Sequence, residues 1–231
     1  MKQVMKTKLS VLVITLALML WVEPLINAQE KESGGEEKSL QQLLEGNKRF
    51  SSGKFSKKDF AKERAELTKG QHPYAIILSC SDSRVPPEII FDESLGKLFI
   101  IRVAGNVVDS VILGSIEYAA EHLHTKLLIV LGHESCGAVT AALKGGEVPP
   151  NIAQIVRRIE PAVKKTLAQK LEKSHELDFA IEENVKDQIM ASLKNSAILK
   201  GLVESKELQI VGAVYNLKTG AVKVLHTEIE E

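Results

Sequence analysis

Four short apolar segments of this chain have the length and composition of buried β-strands. They lie at residues 74–78, 98–103, 126–131 and 208–215. Runs that are apolar at nearly every position are typical of strands in a parallel sheet that is covered on both faces. A fifth segment, residues 221–226, follows a turn at residues 216–220 and predicts a hairpin with the fourth strand.

Amphipathic segments separate these strands. Ser39 is the expected N-cap of a helix that reaches Phe50, and further helices are predicted at residues 57–68, 110–123, 151–174 and 178–200. Strand, helix and strand in this order form βαβ units, so we predict an α/β fold. Its centre is a mostly parallel β-sheet flanked by helices, with a C-terminal hairpin. The two N-terminal helices are amphipathic and need a surface to lie on, either the sheet or a partner subunit.

The N-terminal segment, residues 1–28, has the features of a secretory signal peptide. Three lysines precede an apolar run from Leu9 to Val22, and Ala28 is a small residue at a possible cleavage site. The apolar run has about 14 residues, fewer than the roughly 20 that span a bilayer. An uncleaved N-terminal anchor is the alternative.

We therefore expect an exported protein, periplasmic or secreted in a bacterial host, with no stable membrane span after the signal is cleaved. Residues 29–37 are polar and contain glycine, which predicts a flexible linker. Residues 38–231 are expected to form a single domain, since 231 residues are enough for one α/β domain with a full core.

The charge composition argues against a nucleic-acid partner. The chain has 30 basic and 30 acidic residues, a formal net charge of +0, and few aromatic residues for stacking on bases. The basic residues of segment 151–174 are mixed with acidic and apolar ones, which favours a solvated surface helix over a nucleic-acid or membrane contact.

Residues with reactive or metal-binding side chains follow the first predicted strand. Cys80-Ser-Asp-Ser-Arg84 comes directly after the apolar run, and ligands of open α/β sheets bind beyond the carboxyl ends of strands. Because alternate residues of an extended backbone point to the same side, we expect Cys80, Asp82 and Arg84 on one face. A thiol, a carboxylate and a guanidinium together indicate a functional site.

A second group of such residues, Gly132-His-Glu-Ser-Cys-Gly137, follows the third predicted strand. His133 and Cys136 are three residues apart and would share a face of a first helical turn. Together with Cys80 and Asp82 they offer four donors of the types that bind zinc in tetrahedral geometry. The alternative is a disulfide between Cys80 and Cys136, the two cysteines of an exported chain. A disulfide alone would leave Asp82 and His133 without a role.

Other chemistries fit the sequence less well. It contains no Gly-x-Gly-x-x-Gly after a strand and no P-loop. The segment around Ser135 is one residue longer than the Gly-x-Ser-x-Gly of a hydrolase nucleophile elbow. A nucleophilic Cys136 would give Cys80, Asp82 and Arg84 no role. His122 and His124 flank a helix C-terminus, where histidines are more often exposed than metal-bound.

The two motifs in this order resemble those of the β-class carbonic anhydrases. The resemblance extends over residues 38–226 and includes residues 43–50, 73–87, 102–106, 115–119 and 215–220. It implies reversible hydration of carbon dioxide to bicarbonate and a proton by a zinc-bound hydroxide, with one zinc ion per chain. It also implies a homodimer or homotetramer in which the N-terminal helices pack on the partner subunit.

The resemblance also implies roles for individual residues. Cys80, His133 and Cys136 would be constant zinc ligands. Asp82 would either complete the zinc tetrahedron or pair with Arg84 and leave the fourth position to water, and only the second state would be catalytic. Asp82 and Arg84 are thus the expected catalytic residues. A carbon disulfide or carbonyl sulfide hydrolase on the same scaffold is an alternative function, and an exported zinc-binding protein without turnover is another.

We predict that carbon dioxide hydration is slow near neutral pH and faster in alkaline buffer. Two thiolates neutralise more of the zinc charge than three imidazoles would, so the bound water should be less acidic than the value of about 7 of a three-histidine site. Stopped-flow hydration rates between about pH 6.5 and about pH 9 measure this dependence. A flat profile would contradict the prediction.

Overall fold

The computed structural model describes residues 37–226. The predicted signal peptide and residues 29–36 of the predicted linker lie outside these residues, and both stay predictions. Within the described range, no helix combines the length and the apolar character that crossing a membrane requires.

The described residues form five strands and eight α-helices. The strands are β1 (Ala75–Ser79), β2 (Leu98–Arg102), β3 (Leu127–His133), β4 (Gln209–Tyr215) and β5 (Val222–Val224). The α-helices are α1 (residues 37–51), α2 (Phe60–Glu66), α3 (Pro87–Ile90), α4 (Ser110–Glu117), α5 (Gly137–Lys144), α6 (Pro150–Ala168), α7 (Lys173–Asn195) and α8 (Ala197–Glu204).

The strands form one sheet in the order β2-β1-β3-β4-β5. The first four strands are parallel, and β5 pairs antiparallel with β4 as the predicted C-terminal hairpin. Side chains of β1 alternate between two buried clusters, with Ala75 and Ile77 on one face and Ile76 and Leu78 on the other. Both faces of the sheet are therefore covered, and the predicted α/β class is confirmed.

The prediction that Ser39 caps the first helix is wrong. The backbone is already helical at residue 37, so Ser39 lies inside α1. The preceding Glu37 and Lys38 have high helix propensity, and the helix continues through them.

The segment predicted as one helix at residues 178–200 forms two. α7 ends at Asn195, and Ser196 caps α8 by accepting a hydrogen bond from the Leu199 N–H at 3.1 Å. The Ser196 hydroxyl also donates to the Glu117 carboxylate at 2.6 Å. A serine whose hydroxyl hydrogen-bonds to a backbone N–H and to a distant side chain is more favourable at the start of a helix than in its interior.

The other predicted helices occur with shorter bounds. α2 continues as a 3₁₀ turn that ends at Gly70, and α4 continues as a π-helix over Tyr118–His122. α6 buries Ile159, Ala162, Val163 and Thr166, while Ile152 and Leu167 are exposed. Its lysines and Arg157 lie at the surface, as predicted, and Arg158 is half-buried. His122 and His124 are exposed, also as predicted.

α1 packs on the domain through Leu43, Gly46 and Asn47. Leu43 and Asn47 are buried, and Asn47 donates to the carbonyls of Ile90 and Gly220. A Cβ at Gly46 would lie 1.8 Å from the Phe91 carbonyl oxygen, so only glycine allows this approach. By contrast, α2 has no buried residue within this chain.

Asp92 is a buried carboxylate that joins α1, the segment before α2 and the loop after α3. Arg49 donates to it through Nε at 2.6 Å, the Ser56 N–H donates at 2.9 Å, and Lys58 donates through Nζ. Burial alone would raise the pKa of Asp92, but these donors outweigh it and hold the pKa well below its usual range.

We predict that Asp92→Asn lowers the free energy of unfolding by about 3 kcal/mol near neutral pH, because it leaves two cations without their buried partner. A depressed native pKa stabilises the fold above the unfolded-state pKa of about 3.9, and this contribution fades as pH falls below that value. Urea titrations at equal protein concentration should therefore show the two proteins converging in acid. Glu88→Gln, at an exposed carboxylate in α3, is the control. Equal midpoints near neutral pH would contradict the prediction.

Candidate metal centre

Three metal-ligating side chains meet at the carboxyl edge of the sheet. The ligand atoms of Cys80, His133 and Cys136 all lie within 4.8 Å of one another, and all three residues are buried. β1 and β3 are adjacent strands, with Ser79 opposite Leu131. The residues that follow these two positions are therefore brought together by the register of the sheet.

A turn, not an extended strand, places the residues around Cys80, so the predicted alternation of Cys80, Asp82 and Arg84 along a strand is wrong. β1 ends at Ser79, so Cys80, Asp82 and Arg84 do not alternate along an extended strand. Instead the Val85 N–H donates to the Asp82 carbonyl at 3.1 Å and closes a turn. This turn, rather than strand alternation, brings Asp82 and Arg84 together.

A turn also places His133 and Cys136. His133 is the last residue of β3 and Cys136 is the N-cap of α5, so the two do not share a helical turn as predicted. Ser135 between them has a φ of 54°, which reverses the chain tightly enough to return Cys136 to His133. Ser135 is exposed.

One nitrogen of His133 is committed to the backbone, and the other is available to a ligand. Nδ1–H donates to the Glu134 carbonyl at 2.8 Å, which leaves the lone pair on Nε2. Nε2 is buried and has no hydrogen-bond partner among the described residues. Unpartnered buried acceptors are rare. One that lies beside two thiols has the position and the lone pair of a metal ligand.

Glu134 is itself fixed by the C-terminal hairpin. Its N–H donates to the Tyr215 carbonyl at 3.0 Å. Its carboxylate accepts hydrogen bonds from the Asn216 side chain and, at 3.1 Å, from the Leu217 N–H. The carbonyl that orients the His133 ring is thus held from strand β4 and from the turn that follows it.

The two cysteines are free thiols, so the alternative disulfide is not formed. The hydrogen bond from the Cys136 thiol lowers the pKa of Cys80, although burial raises it. The Gly105 N–H also lowers this pKa. The pKa of Cys136 is raised, first by sharing its proton with Cys80 and then by burial. A dication at this point would favour ionisation of both thiols.

Asp82 lies outside the cluster of three and is paired with Arg84. Arg84 Nε donates to one carboxylate oxygen at 2.9 Å and Nη2 donates to the other at 2.7 Å. The Arg84 N–H also donates to Asp82, at 2.9 Å. These bonds hold the pKa of Asp82 well below its usual range. Of the two states expected for Asp82, the structure has the one in which Arg84 holds the carboxylate.

Two residues that support the site were not among the site residues predicted from the sequence. Arg102 donates to the carbonyls of Cys80 at 3.0 Å and Asp82 at 2.6 Å, and so fixes the loop between them. The Gly105 N–H lies 3.3 Å from the Cys80 sulfur. Both residues lie at or just beyond the end of β2, which is the neighbour of β1. The rule that sites form beyond strand ends could have identified them.

The residues present fit a zinc ion. Two cysteines and one histidine are donors that zinc prefers, and a fourth position filled by water or substrate is typical of catalytic zinc. The buried Nε2 of His133, which has no hydrogen-bond partner among the described residues, has its lone pair available for such an ion.

Comparisons with known proteins agree with this geometry. The family model of the carbonic anhydrases matches residues 75–222. The carbonic anhydrase of Mycolicibacterium smegmatis is 40% identical over 187 residues, which cover 79% of this chain and 89% of that protein. Among solved structures, the β-carbonic anhydrase CafA of Aspergillus fumigatus aligns with a TM-score of 0.68 and 28% identity, over 74% of this chain and 85% of that one.

A structure of two tetrameric β-carbonic anhydrases from Sordaria macrospora aligns with a TM-score of 0.63 and 27% identity, over 70% of this chain and 85% of that one. The fold is thus that of the β-class carbonic anhydrases, which are lyases. The chain belongs to the carbonic anhydrase family.

Proposed function

We propose that the protein is a zinc-dependent carbonic anhydrase that interconverts carbon dioxide and bicarbonate. The observation that carries this proposal is the buried cluster of Cys80, His133 and Cys136 with the Asp82–Arg84 pair beside it. The name and the similarity of the M. smegmatis relative support the same reaction.

Cys80, His133 and Cys136 would hold the metal. The two sulfurs would bind as thiolates, and the His133 ring is already in the tautomer that presents Nε2, because Nδ1–H donates to the Glu134 carbonyl. When bound, zinc supplies the Lewis acidity that makes water a nucleophile at accessible pH.

Asp82 is suited to orient the nucleophile. Both of its oxygens accept hydrogen bonds from Arg84, so the carboxylate stays ionised and keeps further lone pairs available. A carboxylate in this state accepts a hydrogen bond from the attacking O–H group and aims the oxygen lone pair at carbon. Arg84 also keeps Asp82 away from the three ligands.

The reaction forms one C–O bond and breaks one O–H bond. A water-derived oxygen adds to the carbon of carbon dioxide, one C=O electron pair moves to its oxygen, and the proton leaves to solvent or buffer. Arg102 holds the backbone at Cys80 and Asp82, so ligand and orienting carboxylate keep a fixed spacing during these steps.

We also infer a homodimer or homotetramer. α2 buries no residue within the chain; Phe60, its first residue, is 54% exposed, and Phe55 in the preceding segment is 56% exposed. Exposed aromatic residues at an unpacked helix are typical of subunit interfaces, and the Sordaria macrospora relatives are tetrameric. Size-exclusion chromatography with light scattering should give the mass of two or four chains. A single-chain mass at micromolar concentration would contradict this inference.

The catalytic proposal is tested with Arg84→Ala in protein whose zinc content is measured in the same sample. We expect about one zinc ion per chain and a hydration rate that falls by about 100-fold or more. The reason is that Asp82 loses the partner that holds it away from the metal ligands. Stopped-flow hydration near pH 8.5 is the assay.

Arg157→Ala, at an exposed arginine of α6, is the matched control and should keep full activity. Equal rates for Arg84→Ala and wild type would contradict the role of the pair. Full zinc without hydration in the wild type would instead favour a carbon disulfide or carbonyl sulfide hydrolase, or a zinc-binding protein without turnover.

A further inference from the structure

The sulfur of Cys80 receives a backbone hydrogen bond from Gly105. The Gly105 N–H donates to it at 3.3 Å in a buried position. Gly105 has a φ of 72°, and a Cβ there would lie 2.8 Å from Ile159 Cδ1. The backbone conformation therefore favours glycine, and a larger residue would also require the Ile159 side chain to shift.

A side chain from α7 holds the carbonyl of the same glycine. Asn184 is 1% exposed, and its Nδ2 donates to the Gly105 oxygen at 2.9 Å. The bond fixes the 105–106 peptide, next to the 104–105 peptide whose N–H reaches the Cys80 sulfur. Because Gly105 can adopt many backbone conformations, an external anchor restricts the direction in which its N–H points.

The orientation of Asn184 is in turn fixed by Gln188, one helical turn further along α7. Gln188 Nε2 donates to Asn184 Oδ1 at 3.1 Å, which leaves Asn184 Nδ2 to face Gly105. Gln188 Oε1 accepts from the Val108 N–H at 2.9 Å, and Nε2 also donates to the Arg158 carbonyl at 3.1 Å. The two amides thus anchor the 105–108 segment at both ends.

A hydrogen bond to a thiolate changes how that thiolate binds a metal. The N–H draws electron density from sulfur, so the sulfur donates less charge to the metal. It also fixes the direction of the sulfur before the metal arrives. Partners of this kind commonly change metal affinity by about 10- to 100-fold when they are removed.

We propose that Asn184 is a positioning residue of the metal centre, which holds Gly105 so that its N–H stays on the Cys80 sulfur. Asn184 touches neither the ligand atoms nor the substrate and acts through Gly105. The proposal rests on the proposed zinc site.

The test uses full-length Asn184→Leu and Asn184→Asp. The leucine variant removes both amide contacts. The aspartate variant keeps the acceptor for Gln188 and, in alkaline buffer where its carboxyl group is ionised, removes the donor to Gly105. Measured there, it carries the test where the leucine variant fails to fold. We expect zinc affinity, measured by chelator competition, to fall by about 10-fold in both variants. In the Co²⁺-substituted protein, the sulfur-to-cobalt charge-transfer band should move to longer wavelength, because the Cys80 thiolate becomes a stronger donor.

Ser192→Ala is the matched control. Ser192 is also fully buried on α7, and its hydroxyl donates to the Gln188 carbonyl at 2.8 Å without contacting Gly105. It should leave the band position and the zinc affinity unchanged. The proposal is overturned if both Asn184 variants keep the wild-type band and affinity, or if Ser192→Ala changes them equally. A wild-type protein with no cobalt–thiolate band would overturn the proposed zinc function as well.

Discussion

The carboxyl ends of β1 and β3 lie side by side because parallel neighbouring strands end at the same edge of a sheet, and the candidate metal centre depends on that adjacency. Cys80 follows β1, and His133 ends β3. The ladder that pairs Ser79 with Leu131 sets their separation more firmly than any side-chain contact could. A register shift of one residue would turn the side chains of one strand to the opposite face of the sheet, and the ligand atoms of Cys80, His133 and Cys136 would no longer meet.

The polar groups at this edge each have a hydrogen-bonding partner. His133 and Cys80 are buried, whereas the Asp82–Arg84 pair lies partly at the surface. The His133 ring is oriented by the Glu134 carbonyl, the Cys80 sulfur by Gly105, and the Asp82 carboxylate by Arg84. Glu134 is fixed from the turn after β4 and Gly105 is fixed from α7, while Arg102 at the end of β2 holds the backbone of Cys80 and Asp82. Buried polar groups without such partners are costly. The lone pair of His133 Nε2, which has none among the described residues, therefore marks the position that a metal would satisfy.

α7 shows how a helix can serve both the core and the site. Ala180, Ile181, Val185 and Ile189 supply buried apolar contacts, while Asn184, Gln188 and Ser192 are equally buried and hydrogen-bonded. Three polar residues at a spacing of four form a stripe along one side of the helix. Hydrophobic periodicity alone would predict that this polar stripe faces solvent. Here Asn184 and Gln188 are buried instead and anchor residues 105–108, next to Cys80.

The sequence by itself determined the fold class, the sheet strands and the ligand-type residues, because continuous apolar runs and strand-end motifs are local patterns. Cys80, His133 and Cys136 were identified that way. The geometry predicted for them was wrong, because turns rather than strand alternation or a shared helical turn bring them together. Only the tertiary structure decided the break at Ser196, the pairing of Asp82 with Arg84, and the support from Glu134, Arg102 and Asn184. The last three act over long sequence separations or through backbone atoms. Nothing local in the sequence encodes which carbonyl or N–H a distant side chain will reach, because folding alone brings them together.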